Sequence, residues 1–189
     1  KYVDFIAGKQ KQTENQNKRN NLLFKTFPLD LQEKIATYLL NGGNLIVSGA
    51  YIASDIADKV FVSTKEKLFL ENLLKIKFIK RVNTSNNQIV TKNIAFTGFK
   101  QNEFSFYNTA NKTSYYIETA DIIEPASTGA FTFCSYGNDN QSAGVAYSGN
   151  YKVCALGFPF ETITSEKDRN KLMESMLYFL SRKNKEIMY

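Results

Sequence analysis

Apolar positions along the chain follow three different spacings in turn. Behind Pro28, which suits the first turn of a helix, Leu31, Ile35, Ala36, Leu39 and Leu40 form a stripe at helical spacing. Gly42 and Gly43 then stop the helix where a left-handed cap favours glycine. Asn44 to Ser48 contains the unbroken run Leu45-Ile46-Val47, the mark of a strand covered on both faces. Tyr2 to Ala7 reads as another buried strand, separated from the first helix by a polar loop over Gly8 to Asn21. A short helix is predicted from about Ile52, and Ser63 with Glu66 forms a capping box for a helix carrying Phe69, Leu70, Leu73 and Leu74. Phe78-Ile79 begins a further strand.

From Val82 to Ala126 the spacing changes to alternation, through Ile89, Ile94, Phe96, Phe99, Phe104, Phe106, Tyr115 and Ile117. Asn-rich turns at Thr84-Ser85-Asn86-Asn87 and Asn108 to Lys112 interrupt it, which predicts an insert of antiparallel hairpins decorating a sheet. Three more strands follow at Phe131 to Tyr136, Gly144 to Tyr147 and Tyr151 to Leu156, separated by the Asn138-Asp139-Asn140-Gln141 loop and the Ser148-Gly149-Asn150 turn. A last helix from about Ser165 places Leu172, Met176, Phe179 and Leu180 on one face. The pattern is α/β, and without an internal repeat or linker it reads as one domain over residues 1–189.

The 189 residues suffice for one substantial core, and no apolar run approaches the roughly 20 residues that span a bilayer. The chain opens at Lys1 in what already reads as a strand, without Met or a signal peptide, so it is expected to be a piece or processed form of a longer protein. The net charge of +6 is modest, and the densest basic stretch, Lys9 to Arg19, is diluted by Gln, Asn and Thr. It reads as a solvated loop rather than a nucleic-acid surface. The 11 Tyr and 15 Phe fall mostly at strand positions, where core packing accounts for them. No nucleic-acid partner is expected.

Histidine is absent, which removes Ser-His and Cys-His dyads, His-ligated zinc and imidazole acid–base chemistry from this chain. Cys134 and Cys154 lie in predicted strands; they read as buried thiols, with a disulfide open to them only if the strands are neighbours. No metal-ligand spacing occurs, and neither a metal nor a cofactor is expected.

Ser48-Gly49-Ala50-Tyr51 occupies the carboxyl end of a buried strand, the place where open α/β sheets put ligands and nucleophiles. Together with Gly157-Phe158-Pro159-Phe160-Glu161 ahead of the last helix, the elbow VSGAYIAS resembles class I glutamine amidotransferases. Those have a flavodoxin-like sheet, a nucleophilic Cys on a strand-to-helix elbow and a late Phe-His-Pro-Glu motif. Aligned on that motif, Phe158 and Glu161 are kept, Pro159 stands where the catalytic His would be, and the nucleophile position falls near Ala50 with no Cys.

The phrases GGNLIVSGAYIASD, Asp121-Ile122-Ile123-Glu124-Pro125, AGVAY at Ala143 to Tyr147 and GFPFETI at Gly157 to Ile163 look like the amidotransferase-like domain of secreted Bacteroidetes proteins of the xanthan lyase type. That resemblance covers most of the chain. It implies a three-layer flavodoxin-like sheet with the 82–126 hairpin insert and a C-terminal helix, set in a larger multidomain protein that is secreted, periplasmic or on the cell surface.

Three residues are catalytic candidates. Ser48 is the hydroxyl at the strand end, but it has no His base and begins no Ser-x-x-Lys pattern, so it reads as capping the turn. Glu161 follows three bulky residues that could desolvate it and raise its pKa; bracing the entry into the last helix is its plainer role. Tyr51, Tyr136 and Phe158 could share a crevice, as sugar-stacking faces or as a lid on an empty site. Asp55 reads as a solvent-facing helix residue. A ligand, if bound, is expected between Ser48, Gly49, Ala50, Tyr51 and Phe158, Glu161; with no Lys or Arg in either segment, a carbohydrate fits better than a phosphate.

The leading expectation is therefore a catalytically silent domain with a structural or ligand-binding role in polysaccharide processing. Its rivals are a polysaccharide lyase or hydrolase working through Glu161, Tyr51 or Lys side chains, and an interaction module whose insert docks on a neighbouring domain of the same polypeptide.

Overall fold

The computed structural model describes residues 3–7 (backbone only), 26–58, 63–85, 87–92, 102–137 and 140–182. The expected loop at Gly8 to Asn21, the basic stretch Lys9 to Arg19, the alternating positions Ile94, Phe96 and Phe99, and Asn138-Asp139 lie outside the described residues. Nine strands and four α-helices form an α/β arrangement among the described residues, with seven of the strands in succession between the third helix and the last. No helix among them is long and apolar enough to cross a membrane.

Strand β1 (Val3–Ala7) leads through helix α1 (Leu29–Leu40) to β2 (Asn44–Ser48), which pairs parallel with β1 on one side and with β9 (Lys152–Leu156) on the other. These three strands are the parallel part of a seven-stranded mixed sheet. Beyond β9 the sheet continues antiparallel through β8 (Gln141–Ser148), β7 (Ala130–Tyr136), β4 (Gln88–Thr91) and β5 (Glu103–Ser105), in the order β1-β2-β9-β8-β7-β4-β5.

Period-two burial divides the core cleanly. From β2, Ile46 joins Cys154 and Leu156 of β9 and the face of α4 (Glu166–Ser181) formed by Leu172, Met176, Phe179 and Leu180. Leu45 and Val47 point the other way, with Val153 and Ala155, against Ile35 and Leu39 of α1 and Phe69, Leu70 and Leu74. Helical residues thus pack against both faces of β2 and β9, in keeping with the Leu45-Ile46-Val47 run. Leu39, Ile46, Phe158 and Leu180 are all core residues.

Local signals act as the sequence anticipates at several boundaries. Gly42 adopts a φ of 81° after α1, and its N–H bonds Leu39 O at 2.8 Å. Ser63 and Glu66 complete both halves of the capping box at the start of α3 (Thr64–Leu68), which continues as a π-helical turn over Phe69–Leu74. Ser165 caps α4 by accepting from the Asp168 N–H.

Other expectations change. Pro28 sits one residue before α1 rather than inside its first turn. Leu40 is 71% exposed: Leu39 takes the core position, and the next residue points outward. Asp55 is not solvent-facing; α2 (Ser54–Ala57) is a single turn packed inside the fold, Asp55 is 7% exposed, and its carboxylate accepts the Thr26 N–H at 2.7 Å.

The stretch from Val82 onward does not simply decorate the sheet. Its β4–β5 hairpin extends the main sheet through β7, while β6 (Thr119–Pro125) pairs antiparallel with β3 (Ile76–Asn83) as a separate two-stranded sheet. β6 is tied to the end of β9, where the Asp121 N–H bonds Gly157 O at 2.8 Å. A Cβ on Gly157 would lie 2.0 Å from Asp121 O, so only glycine allows this approach.

Cys134 on β7 and Cys154 on β9 are buried and free. β8 runs between their strands, with Gly144 opposite Cys134 and Ala146 opposite Cys154, so the two strands are not neighbours and no disulfide links them. Burial pushes both thiols well above their ordinary pKa.

Candidate functional site

The carboxyl ends of β2 and β9 lie side by side, Ser48 opposite Leu156. This register brings the Ser48–Tyr51 turn against the segment that leaves β9 at Gly157, and the two are stitched together. The Gly49 N–H bonds Leu156 O at 3.2 Å, and the Phe160 N–H donates to Ser48 Oγ at 3.3 Å. Ser48 therefore holds the facing segment rather than its own turn, and its exposure is 0%.

The space between the segments is filled. Phe158 is 0% exposed; its ring stacks on Phe106 at 5.6 Å and 17°, with Tyr136 edge-on at 6.3 Å and Phe104 at 6.4 Å. Gly49, Ala50 and Pro159 are buried as well. The expected crevice is thus a packed junction. The reason is tertiary: Phe104 and Phe106 arrive from β5 and the residue after it and close over Phe158.

Tyr51 lies at the edge of this plug. Its hydroxyl is 3.2 Å from Thr119 Oγ1, and the Arg81 guanidinium sits 5.2 Å from its ring centre. Tyr51 is thus engaged by both strands of the small sheet.

Asp121 of β6 is the buried charge closest in character to a functional group. Its Oδ2 accepts the backbone N–H groups of Ala53 and Ser54, each at 2.9 Å, at the entry to α2. Oδ1 is buried, and among the described residues no donor lies within ordinary hydrogen-bond geometry of it. Burial raises its pKa to about 6, against the opposing pull of the Ser54 and Ala53 N–H groups, the Ser54 hydroxyl and the Arg81 charge. The donors just past the elbow are therefore occupied by the chain's own carboxylate. Asp121 was visible in the sequence only as an acid embedded in the apolar run Ala120 to Ile123, a signal of burial with partners.

Glu161, among the catalytic candidates, borders an open cavity. It lies in the 3-10 turn Phe160–Thr162, and its Oε1 accepts the Tyr115 hydroxyl at 2.6 Å. Burial, then the hydrogen bond and charge of Glu161, raise the Tyr115 pKa well above the ordinary phenol value. Glu161 Oε2 is screened from solvent and has no donor among the described residues. The cavity beside it, about 670 Å³, runs between the segment around Tyr107–Ser114 and the start of α4. Sequence reasoning did not find this cavity, because half of its wall comes from irregular chain after β5. Among the described residues no group of three or more acidic or Cys side chains could hold a metal.

No protein-family model and no curated protein matches the chain. Solved structures do match. One described as "mmIFT52 N-terminal domain" superposes with a TM-score of 0.56 at 14% identity, over 86% of this chain and 75% of that one. A second, "Exo-beta-1,4-mannosidase Op5Man5 from Opitutaceae bacterium strain TAV5", gives a TM-score of 0.47 at 16% identity; it covers 83% of this chain, which spans only 24% of that one. The first likeness is one of fold alone.

Proposed function

We propose that this chain is a non-catalytic, amidotransferase-like domain with a structural or ligand-binding role in a larger secreted protein that processes polysaccharide. In this reading the β1-β2-β9 strands with helices on both faces are the remnant of a three-layer flavodoxin-like sheet, and the antiparallel strands β8, β7, β4 and β5 are its extension.

The observation that carries the proposal is the sealed elbow. A nucleophile there must reach solvent, be deprotonated by a neighbour and find free N–H donors for an oxyanion. Ser48 is fully buried and committed to the Phe160 N–H, Pro159 offers no base, and Asp121 takes the Ala53 and Ser54 N–H groups. The rival lyase or hydrolase reading is weakened by the same kind of accounting. The Tyr51 hydroxyl is paired with Thr119, and Glu161 is held by a phenol whose proton is hard to remove.

The purified chain should release no ammonia from glutamine and no unsaturated or reducing sugar from acidic or neutral polysaccharides. Turnover of either kind that disappears in Glu161→Gln or Tyr51→Phe would refute the proposal.

A further inference from the structure

We propose that the outer edge of β3 is a docking strand for an extended, acidic segment of a partner protein, which adds to the small sheet as its third strand. The proposal goes beyond the reading of the chain as a polysaccharide-linked domain and does not depend on it.

β3 is eight residues long and is paired on one side only, with β6. Among the described residues, no backbone bond reaches the other side of β3 between Lys77 and Val82. An unpaired strand edge presents a row of N–H and C=O groups to any chain that lies alongside it. Four of the seven residues from Lys75 to Arg81 are basic. Lys77, Ile79, Lys80 and Arg81 are exposed. Arg81 faces Asp58 at 3.4 Å, and Lys75 lies 4.9 Å from the Tyr147 ring centre. Lys77 and Lys80 form no ion pair among the described residues.

A bulge sets the spacing of these two cations. Lys77 lies opposite Glu124 and Lys80 opposite Ile122, with Ile79 as the extra residue between Phe78 and Lys80. Glu124 and Ile122 are two residues apart and share a face of β6, so Lys77 and Lys80 share a face of β3. In an unbroken strand their sequence spacing would send them to opposite faces. An extended partner with a carboxylate at every second residue therefore meets both ammonium groups from one face while its backbone pairs with the open edge. Glu124 sits on β6, on the far side of Lys77 from that edge. Lysines and a bulge ordinarily discourage chance pairing of edge strands. A second copy of β3 would set lysine against lysine, which leaves an acidic strand as the favoured occupant.

The test is NMR titration of the full chain with peptides of eight residues, the length of β3. One alternates Glu and Thr. Another has the same composition with its Glu residues in a single block. A third alternates Lys and Thr, and the last is the alternating acidic peptide with N-methyl groups in place of its amide protons. The alternating acidic peptide should bind saturably and shift the amide signals of Lys77 to Val82. Its affinity should fall by about tenfold or more in Lys77→Glu/Lys80→Glu, and the alternating Lys peptide should then bind that variant instead. Lys167→Glu/Lys171→Glu, at exposed positions of α4, makes the same change in net charge and should leave binding unaltered.

Absence of saturable binding, equal binding of the block or N-methylated peptide, or shifts that lie away from β3 would each overturn the proposal. Tighter binding of tetragalacturonate or of a short single-stranded DNA would overturn it too, because the edge would then serve anionic polymers rather than a strand. A dimer of the free chain that Lys77→Glu/Lys80→Glu dissociates would give the edge to a second copy instead.

Discussion

Replacing Asp121 by Asn should change how stability depends on pH. In the folded chain the Asp121 carboxyl has a pKa of about 6, against 3.8 for an ordinary aspartate, because burial outweighs two N–H donors, the Ser54 hydroxyl and the Arg81 charge. A raised carboxyl pKa means that the folded state binds its proton more tightly than the unfolded chain does. Stability is therefore greatest below the unfolded value and is lost as pH rises through the folded one. The whole effect is on the order of 3 kcal/mol, and lowering the pH from about 7.5 to about 5 recovers roughly 1–2 kcal/mol of it.

Asn keeps an acceptor for the Ala53 and Ser54 N–H groups and carries no charge, so Asp121→Asn removes the titration while preserving the cap. Urea unfolding of both proteins at several pH values isolates the contribution of Asp121, the one carboxyl that differs between them. The free-energy gap should favour the variant near pH 7.5 and shrink by about 1–2 kcal/mol toward pH 5. A gap independent of pH would refute the assignment of Asp121 as a buried, ionisable cap.

Three further outcomes follow from packing. Phe158→Ala, which empties the stack against Phe106, Phe104 and Tyr136, should destabilise the fold by about 3–5 kcal/mol in the same assay. Lys152 is buried, and its ammonium bonds Phe179 O at 2.8 Å and also Arg182 O, tying the end of α4 to β9. Lys152→Met should leave those carbonyls unpaired, cost about 1–3 kcal/mol and speed amide exchange in the last turn of α4. Cys134 and Cys154 should resist alkylation in the native protein, react once it is unfolded, and show no mass difference on reduction.

What the sequence alone determined is what short-range physics controls. Helix ends at Gly42, Ser63 and Ser165 depend on one to four neighbouring residues, and so does the period that sends Ile46 to one face and Leu45 and Val47 to the other. The elbow and the Gly157–Glu161 segment could be found for the same reason, since each is a break at the end of an apolar strand.

Only the tertiary structure decided whether that junction is open. Its answer depends on groups far apart in the chain: Phe106 stacks on Phe158, Asp121 reaches the N–H groups of Ala53 and Ser54, and Tyr115 bonds Glu161. Asp55 and Leu40 show the same limit on a smaller scale. A lone carboxylate on a short helix looks solvated and a second leucine looks buried until the partners are in place, Thr26 over Asp55 and none of the core over Leu40. Burial is a property of what packs against a residue, and nothing in the spacing of a single segment specifies the distant chain that will cover it.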